Sequence, residues 1–446
     1  MKKFYDTLKN IFKIEDLRVR ILNTLGFILI YRLGSYIVLP GVDSAALEVG
    51  ADADGARGII DLINMFAGGA FSRASIFALG IMPYISASIV IQLLGMAVPY
   101  FQKLQREGES GRKKISQLTR LLTIVITLGQ APGYIASQIP DAAIVSPGLF
   151  FWVQSVLILL TGTMFVMWLG EKITDKGIGN GISIIIMIGI IADLPFAFVA
   201  EFVARLEEAG GGMVVFLVEL LVLFFIIVGT ILIVQGVRRI PVQFAKKIVG
   251  SNQYGGVRQY IPLKVNAAGV MPIIFAQAIM FVPITLAGLA EADALVGFAA
   301  VFSDFTGFWY NFTFALMIII FTYFYTAVTV NPNQMAEDMK RNGGFIPGVK
   351  PGKKTAEFID NVMSRITLPG ALTLALIAIL PAFAIIMGVN TRFAQFFGGT
   401  SLLILVGVVL DTLQQIESHL LMRHYDGLMK SGRIKGRSSS PVSMAG

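Results

Sequence analysis

The 446-residue chain contains no cysteine. That excludes disulfides, thiolate metal sites and cysteine nucleophiles, and it leaves the redox compartment open. Histidine is almost absent: His419 and His424 are the 2 in the chain, both near its C-terminal end, so a histidine-rich metal site is excluded too. Charge is scarce. Only 14% of residues are Asp, Glu, Lys or Arg, against about a quarter in soluble domains. Enzyme signatures are missing as well: there is no metal-binding HExxH, no phosphate-binding P-loop and no GxSxG elbow. Neither histidine has a serine partner deep in an apolar segment, which disfavours an intramembrane protease. No cofactor is expected.

Apolar residues fill the gap. They make up 55% of the chain, and mean hydropathy is +0.74. A soluble fold of this length needs far more polar surface to cover its core. The excess therefore requires an apolar solvent, the bilayer. The first residues, with Lys2, Lys3, Lys9, Lys13, Arg18 and Arg20, contain no signal-peptide pattern.

A spanning helix takes about 20 mostly apolar residues. Candidates lie at 20–39, 74–100, 119–138, 149–170, 181–200, 213–236, 265–290, 307–330, 367–388 and 398–420. The expected fold is an all-α polytopic membrane protein of ten spans, with both termini on one side. Basic residues fix that side. Segments 1–20, 102–120, 171–182, 238–264, 331–366 and 418–446 hold 31 of the 36 Lys and Arg. The opposite segments hold Arg57, Arg205 and Arg392 at loop positions, with acids such as Asp43, Glu48, Asp52, Glu207, Glu208 and Glu291. Both termini are therefore expected to be cytoplasmic. Five spans on either side of residue 205 imply two halves of opposite topology, 1–205 and 206–446, with function at their interface.

Segments 238–264 and 331–366 are long and basic, and 238–264 has no acid at all. They fit either a docking surface for a large acidic partner or simple orientation against anionic lipid. Arg32, Glu219 and Asp411 fall inside spans, where charge usually marks function. Arg32 and Asp411 are a candidate pair, and Glu219 is expected near the outer interface. Three scattered charges argue against an ion-coupled solute transporter. The glycine run Gly177-Ile178-Gly179-Asn180-Gly181 lacks the lysine and the preceding strand of a phosphate cradle, and reads as a tight re-entry. Segment 60–73 is too short and polar to span. It fits a short half-helix, either a pore plug or an interfacial helix. On the second span, Ile81, Ile85 and Ile89 share one face, and Ser86, Ser88 and Gln92 add polar groups.

Longer motifs are specific. Asn64-Met65-Phe66-Ala67-Gly68-Gly69 and Ser72-Arg73-Ala74-Ser75-Ile76-Phe77-Ala78-Leu79-Gly80-Ile81-Met82-Pro83-Tyr84-Ile85-Ser86 resemble the plug and second span of the bacterial SecY family. Glu107-Gly108-Glu109-Ser110-Gly111-Arg112, Gly177-Ile178-Gly179-Asn180-Gly181-Ile182-Ser183, Pro262-Leu263-Lys264-Val265-Asn266 and Phe397-Gly398-Gly399-Thr400-Ser401 resemble further segments of that family, in family order. The resemblance covers nearly the whole chain.

It implies a protein-conducting channel of the bacterial plasma membrane, not an enzyme, built of two five-helix halves around a central pore. Unfolded secretory polypeptides would cross it, and transmembrane segments would leave sideways into lipid. By position, Ile81, Ile85, Ile186, Ile274 and Ile404 would form an apolar pore ring. Asp61, Leu62, Ile63, Asn64, Met65, Phe66, Ala67, Gly68 and Gly69 would form the plug. Ser86, Ser88, Gln92, Gln130 and Asn266 are candidates for a lateral gate. The implied partners are SecE, SecG, the SecA ATPase, the ribosome and signal-bearing precursors. Lys246, Lys247, Arg258, Lys350, Lys353 and Lys354 are the docking candidates. Two departures from the family pattern concern docking. Lys350 stands where arginine is common before Pro351-Gly352, which loses the planar bidentate fork. Ser251 and Asn252 stand where paired basic residues are common.

Overall fold

The computed structural model describes residues 14–44, 47, 64, 67–146, 148–207, 212–244, 247–249, 252–254, 258–277, 279–280 and 306–430. Helices occupy the expected spans: α1 Glu15–Gly34, α2 Met82–Ala97, α3 Pro99–Arg106, α4 Glu109–Gln138, α5 Leu149–Lys176, α6 Gly181–Glu207 and α7 Gly212–Gln235. After a β-rich segment come a helical stretch over 271–277, α8 Phe308–Thr329, α9 Pro332–Arg341, α10 Lys353–Ile386 and α11 Gly399–Lys430. Of the seventh span, 265–290, residues 278 and 281–290 lie outside the described residues; the expected helix is present over 271–277 and 279–280, while 265–270 form turns instead.

Among the described residues, 6 helices are long and apolar enough to cross a membrane unaided: α5, α6, α7, α8, α10 and α11. The helices of the first and third spans are no less regular. Their basic-side ends carry Glu15, Asp16, Arg18 and Arg20, and Glu109, Arg112, Lys113 and Lys114, which dilute their apolar content. The second span is shorter than expected. Met82 begins it because Pro83, with no N–H to give, is accommodated only in a first turn. It ends where Val98 turns extended (φ −110°, ψ 121°) ahead of Pro99. Residues 74–81, read as part of that span, form turns instead.

Helix packing depends on glycine where backbones approach most closely. A Cβ at Gly181 of α6 would run into the Gly170 carbonyl of α5, and one at Gly162 of α5 would run into the carbonyl of Ile76. α4 and α5 are also joined by Arg120, which forks onto both oxygens of Glu171 at 2.9 and 2.8 Å. α7 is the most peripheral span, with 11% of its apolar window buried, against 50% for α10.

The basic face is not the pair of loops that the sequence predicts. Val237–Phe244 (β1) and Arg258–Lys264 (β4) form an antiparallel hairpin in register Ile240↔Ile261, with Lys247–Val249 (β2) and Asn252–Tyr254 (β3) pairing beyond it. Gly344–Phe345 (β5), from the other basic segment, adds to the free edge of β1. Alternation places Ile240 and Val242 inward, where they meet Leu263, Met339, Ile346, Ile359 and Met363. Ile359 and Met363 belong to α10. At 34 residues this helix is about 50 Å long, against a hydrocarbon thickness of about 30 Å, and the surplus backs the sheet. The two basic segments therefore form one packed unit.

Candidate functional site

One apolar cluster draws on both halves. Ile81, Ile186 and Ile404 are buried within it, and Ile85 and Ile274 pack against it. Ile81 caps α2, Ile85 lies one turn on, Ile186 is on α6, Ile274 is on the stretch 271–277, and Ile404 is on α11. All five isoleucines assigned to the ring by position thus belong to or pack against one cluster, although they come from opposite ends of the sequence. Phe77, Phe393, Phe397 and Val408 extend the cluster. Ile89 is buried, outside this cluster.

The plug segment is described in part. Asp61, Leu62, Ile63, Met65 and Phe66 lie outside the described residues. Asn64 is helical, and from residue 67 to 80 the described chain runs through turns with a bridge at Ser75, so the half-helix expected over 60–73 does not extend past 66. Gly68 and Gly69 adopt φ of 63° and 82°, the left-handed region open to glycine. A non-helical backbone at membrane depth must find its hydrogen bonds from the protein around it, and this one does. Tyr31 Oη donates to the Ala67 carbonyl at 3.3 Å, and Arg32 Nη1 donates to that of Gly68 at 3.0 Å. Tyr134 Oη donates to the Phe71 carbonyl at 2.7 Å. Arg73 Nη2 also donates to the Gly68 carbonyl, at 2.9 Å. The strand-like link after α1 holds the far end, with Leu39 N donating to Ala74 O and Ile76 N to Ile37 O.

Arg32 therefore does not pair with Asp411. Its second nitrogen, Nη2, reaches the Tyr36 hydroxyl at 3.3 Å. Asp411 lies on the opposite, basic side. There it lines a cavity of about 300 Å³ with Lys264, Gln235 and Gln414.

Among the lateral-gate candidates, Gln92 Nε2 donates to Ser88 Oγ at 3.4 Å within α2. Ser86 is half-buried and Gln130 is exposed. Asn266 is buried, and its Oδ1 has no hydrogen-bond partner among the described residues. No described hydrogen bond joins Asn266 or Gln130 to the polar groups of α2.

The docking candidates divide. Lys246 lies outside the described residues, and Lys247 and Arg258 are placed on β2 and β4. Lys350, Lys353 and Lys354 are exposed at the start of α10, where the Lys350 carbonyl accepts from Thr355 Oγ1 at 3.0 Å. Lys354 is engaged with Glu357 at 2.9 Å.

The glycine run 177–181 is a fixed junction. Arg20 Nη1 donates to the Gly177 carbonyl, Thr24 Oγ1 accepts from Ile178 N, and Gln415 Oε1 of α11 accepts from Gly179 N at 2.8 Å. The last bond ties the two halves together at the basic end. Sequence reasoning missed Tyr31, Tyr134 and Arg73 as plug contacts. Their signal was a phenol or guanidinium in or beside a span, facing a segment that lacks its own backbone ladder.

Comparison with known proteins agrees with this architecture. The family profile described as SecY matches residues 75–413. A protein described as "Protein translocase subunit SecY" from Halalkalibacterium halodurans is 45% identical over 436 residues, covering 96% of this chain and 100% of the relative. The solved structure described as "The structure of a protein conducting channel" superposes with a TM-score of 0.62 at 17% identity, covering 90% of this chain and 92% of the other. One described as "Sec61 in the Canine ribosome-channel complex from the endoplasmic reticulum" does so with a TM-score of 0.58 at 16% identity and the same coverage.

Proposed function

This chain belongs to the SecY family, and from that premise we propose that it passes unfolded secretory polypeptides across the bacterial plasma membrane and releases transmembrane segments sideways into lipid. It is a membrane-embedded protein-conducting channel, not an enzyme. The observation that carries the reading of the site is the convergence of Ile81, Ile85, Ile186, Ile274 and Ile404 in one cluster between the halves.

The physics of that cluster suits the task. Branched aliphatic side chains around a constriction exclude water and ions by dewetting. They bind no particular sequence, so they part around any extended chain and close behind it. The turn at 67–73 rests beside the cluster and closes the resting pore from the acidic side. Two halves, 1–205 and 206–446, separate to open it. Ser86, Ser88, Gln92, Gln130 and Asn266 border the sideways exit. There Asn266 Oδ1, without a partner among the described residues, is an acceptor open to a passing segment.

No group in the channel supplies energy. The sheet β4-β1-β5, with Lys350 and Lys353 beside it, is the docking face for the SecA ATPase and for the ribosome on the cytoplasmic side, where both termini also lie. A rigid face transmits force better than two separate loops. SecE and SecG complete the membrane assembly.

The test is reconstitution of the chain with SecE in liposomes, followed by addition of SecA, ATP and a signal-bearing precursor. ATP-dependent protection of the precursor from external protease, requiring this chain, is the expected result. No protection from a folded, partner-bound sample overturns the reading.

A further inference from the structure

We propose that Arg32 and Arg73 form a two-guanidinium latch on the Gly68 carbonyl, and that this latch sets how tightly the resting channel is sealed. The proposal rests on the channel reading above and assigns to two positioning residues the hold on its closure.

The geometry is convergent. Arg32 comes from α1 and Arg73 from the end of the plug turn, yet both donate to one oxygen, at 3.0 and 2.9 Å. Two like charges brought to a single acceptor repel one another, so the arrangement needs support, and it has it. The Tyr36 ring lies under both guanidinium groups, 5.4 Å from that of Arg32 and 4.3 Å from that of Arg73, where its negative face attracts cations. The Tyr36 hydroxyl fixes Arg32 through Nη2. Asp193 of α6 supplies countercharge to Arg73, and also to Arg392 of the other half.

The acceptor is equally well placed. The left-handed turn at Gly68 and Gly69 aims the carbonyl at the two arginines. A Cβ at Gly68 would lie 2.6 Å from Arg32 Nη1 and 3.0 Å from the backbone of Gly189 on α6. Glycine is thus required both for the turn and for the seat of the plug against α6. Charge-assisted bonds are the stronger kind, and both bonds to Gly68 are partly buried. The tyrosine bonds at Ala67 and Phe71 orient the turn. The two arginines hold it by charge, and displacing the plug breaks both bonds at once.

Resting ion leak, with no precursor present, reads the latch directly. A residue serving only overall stability does not move it. The chain and its membrane partners are placed in potassium-loaded liposomes as wild type, Arg32→Gln, Arg73→Gln and the double variant. Potassium release is followed before SecA, ATP and precursor are added to the same vesicles. The expected result is a several-fold rise in resting leak for each single variant, at least as large a rise in the double variant, and partial restoration in Arg73→Lys. Precursor protection persists in all of them. Wild-type leak in the double variant, with protection intact, overturns the latch. Loss of protection in the wild type itself overturns the channel reading instead. If an arginine variant does not fold, Tyr36→Leu removes the supporting ring at an exposed position and leaves both arginines in place. A raised leak supports the latch, and an unchanged one overturns it.

Discussion

Arg205 and Glu219 form a buried ion pair, with Nη2 and Oε1 2.6 Å apart. The sequence reads Arg205 as an outer loop residue and Glu219 as a carboxylate near the outer interface. In the structure Glu201 joins them, its Oε1 2.8 Å from Arg205 Nε. Arg205 Nη2 also donates to the Gly388 carbonyl, and Glu201 Oε2 accepts from Asn390 N, both at 2.8 Å. The end of α6, the start of α7 and the link after α10 are thereby tied in one knot at the proposed junction of the halves. Removing one partner from a buried pair leaves an uncompensated charge and costs about 3–5 kcal/mol. Arg205→Leu is expected to fall in that range. Arg205→Lys is expected to recover only part of it, since a single ammonium does not serve three acceptors in a plane. Thermal unfolding of the detergent-solubilised protein measures both.

A polar side chain in the isoleucine cluster wets it. Ile404→Asn, at a position 3% exposed, is expected to raise resting ion flux while Ile404→Val leaves the barrier dry. Potassium release from proteoliposomes separates them. Equal flux for the two variants contradicts a dewetted constriction.

Gly181→Ala tests the close crossing of α5 and α6. The added methyl meets the Gly170 carbonyl, a backbone atom with no rotamer to yield. Overpacking of this kind costs about 1–3 kcal/mol. Gly129→Ala is the control, because nothing lies within 4 Å of a Cβ there. Midpoint temperatures of the two variants decide the matter.

Docking is expected to depend on charge at the start of α10. Lys350→Glu, at an exposed position, should weaken partner-driven export without lowering stability. Glu357 is held below the usual carboxylate range by the hydrogen bond from Lys354 and then by its charge, and Lys354 is correspondingly raised. The pair is therefore intact at neutral pH. It is lost as pH falls through the lowered Glu357 value or rises through the raised Lys354 value. Glu357→Gln frees Lys354 and is expected to tighten binding of an acidic partner at low salt, with a steeper salt dependence. Binding titrations at two ionic strengths check this.

Much of the membrane part was legible in the sequence because a spanning helix satisfies all its own backbone groups, so apolar length alone locates it. The ring isoleucines were legible only through motif resemblance, since an isoleucine facing a pore and one facing lipid look alike in sequence. The basic face was misread as loops. Its strands are short, Pro241 and Pro262 interrupt them, and β5 is 2 residues long. Their inward side chains share one apolar cluster with α10 residues more than 90 positions away, Ile240 and Ile359 among them. The partner of Arg32 was missed for a related reason. A backbone carbonyl turned inward at Gly68 leaves no mark on the sequence beyond the glycine itself.

The central claim is that a translocating chain passes through the ring of five isoleucines. Photocrosslinkable residues placed one at a time at Ile81, Ile186, Ile404 and the lipid-facing Leu221 (56% exposed), in the assembled channel holding a stalled precursor, measure it most directly. Crosslinks to the precursor at the three isoleucines and none at Leu221 are predicted. Crosslinking at Leu221 with none at the isoleucines would contradict the claim.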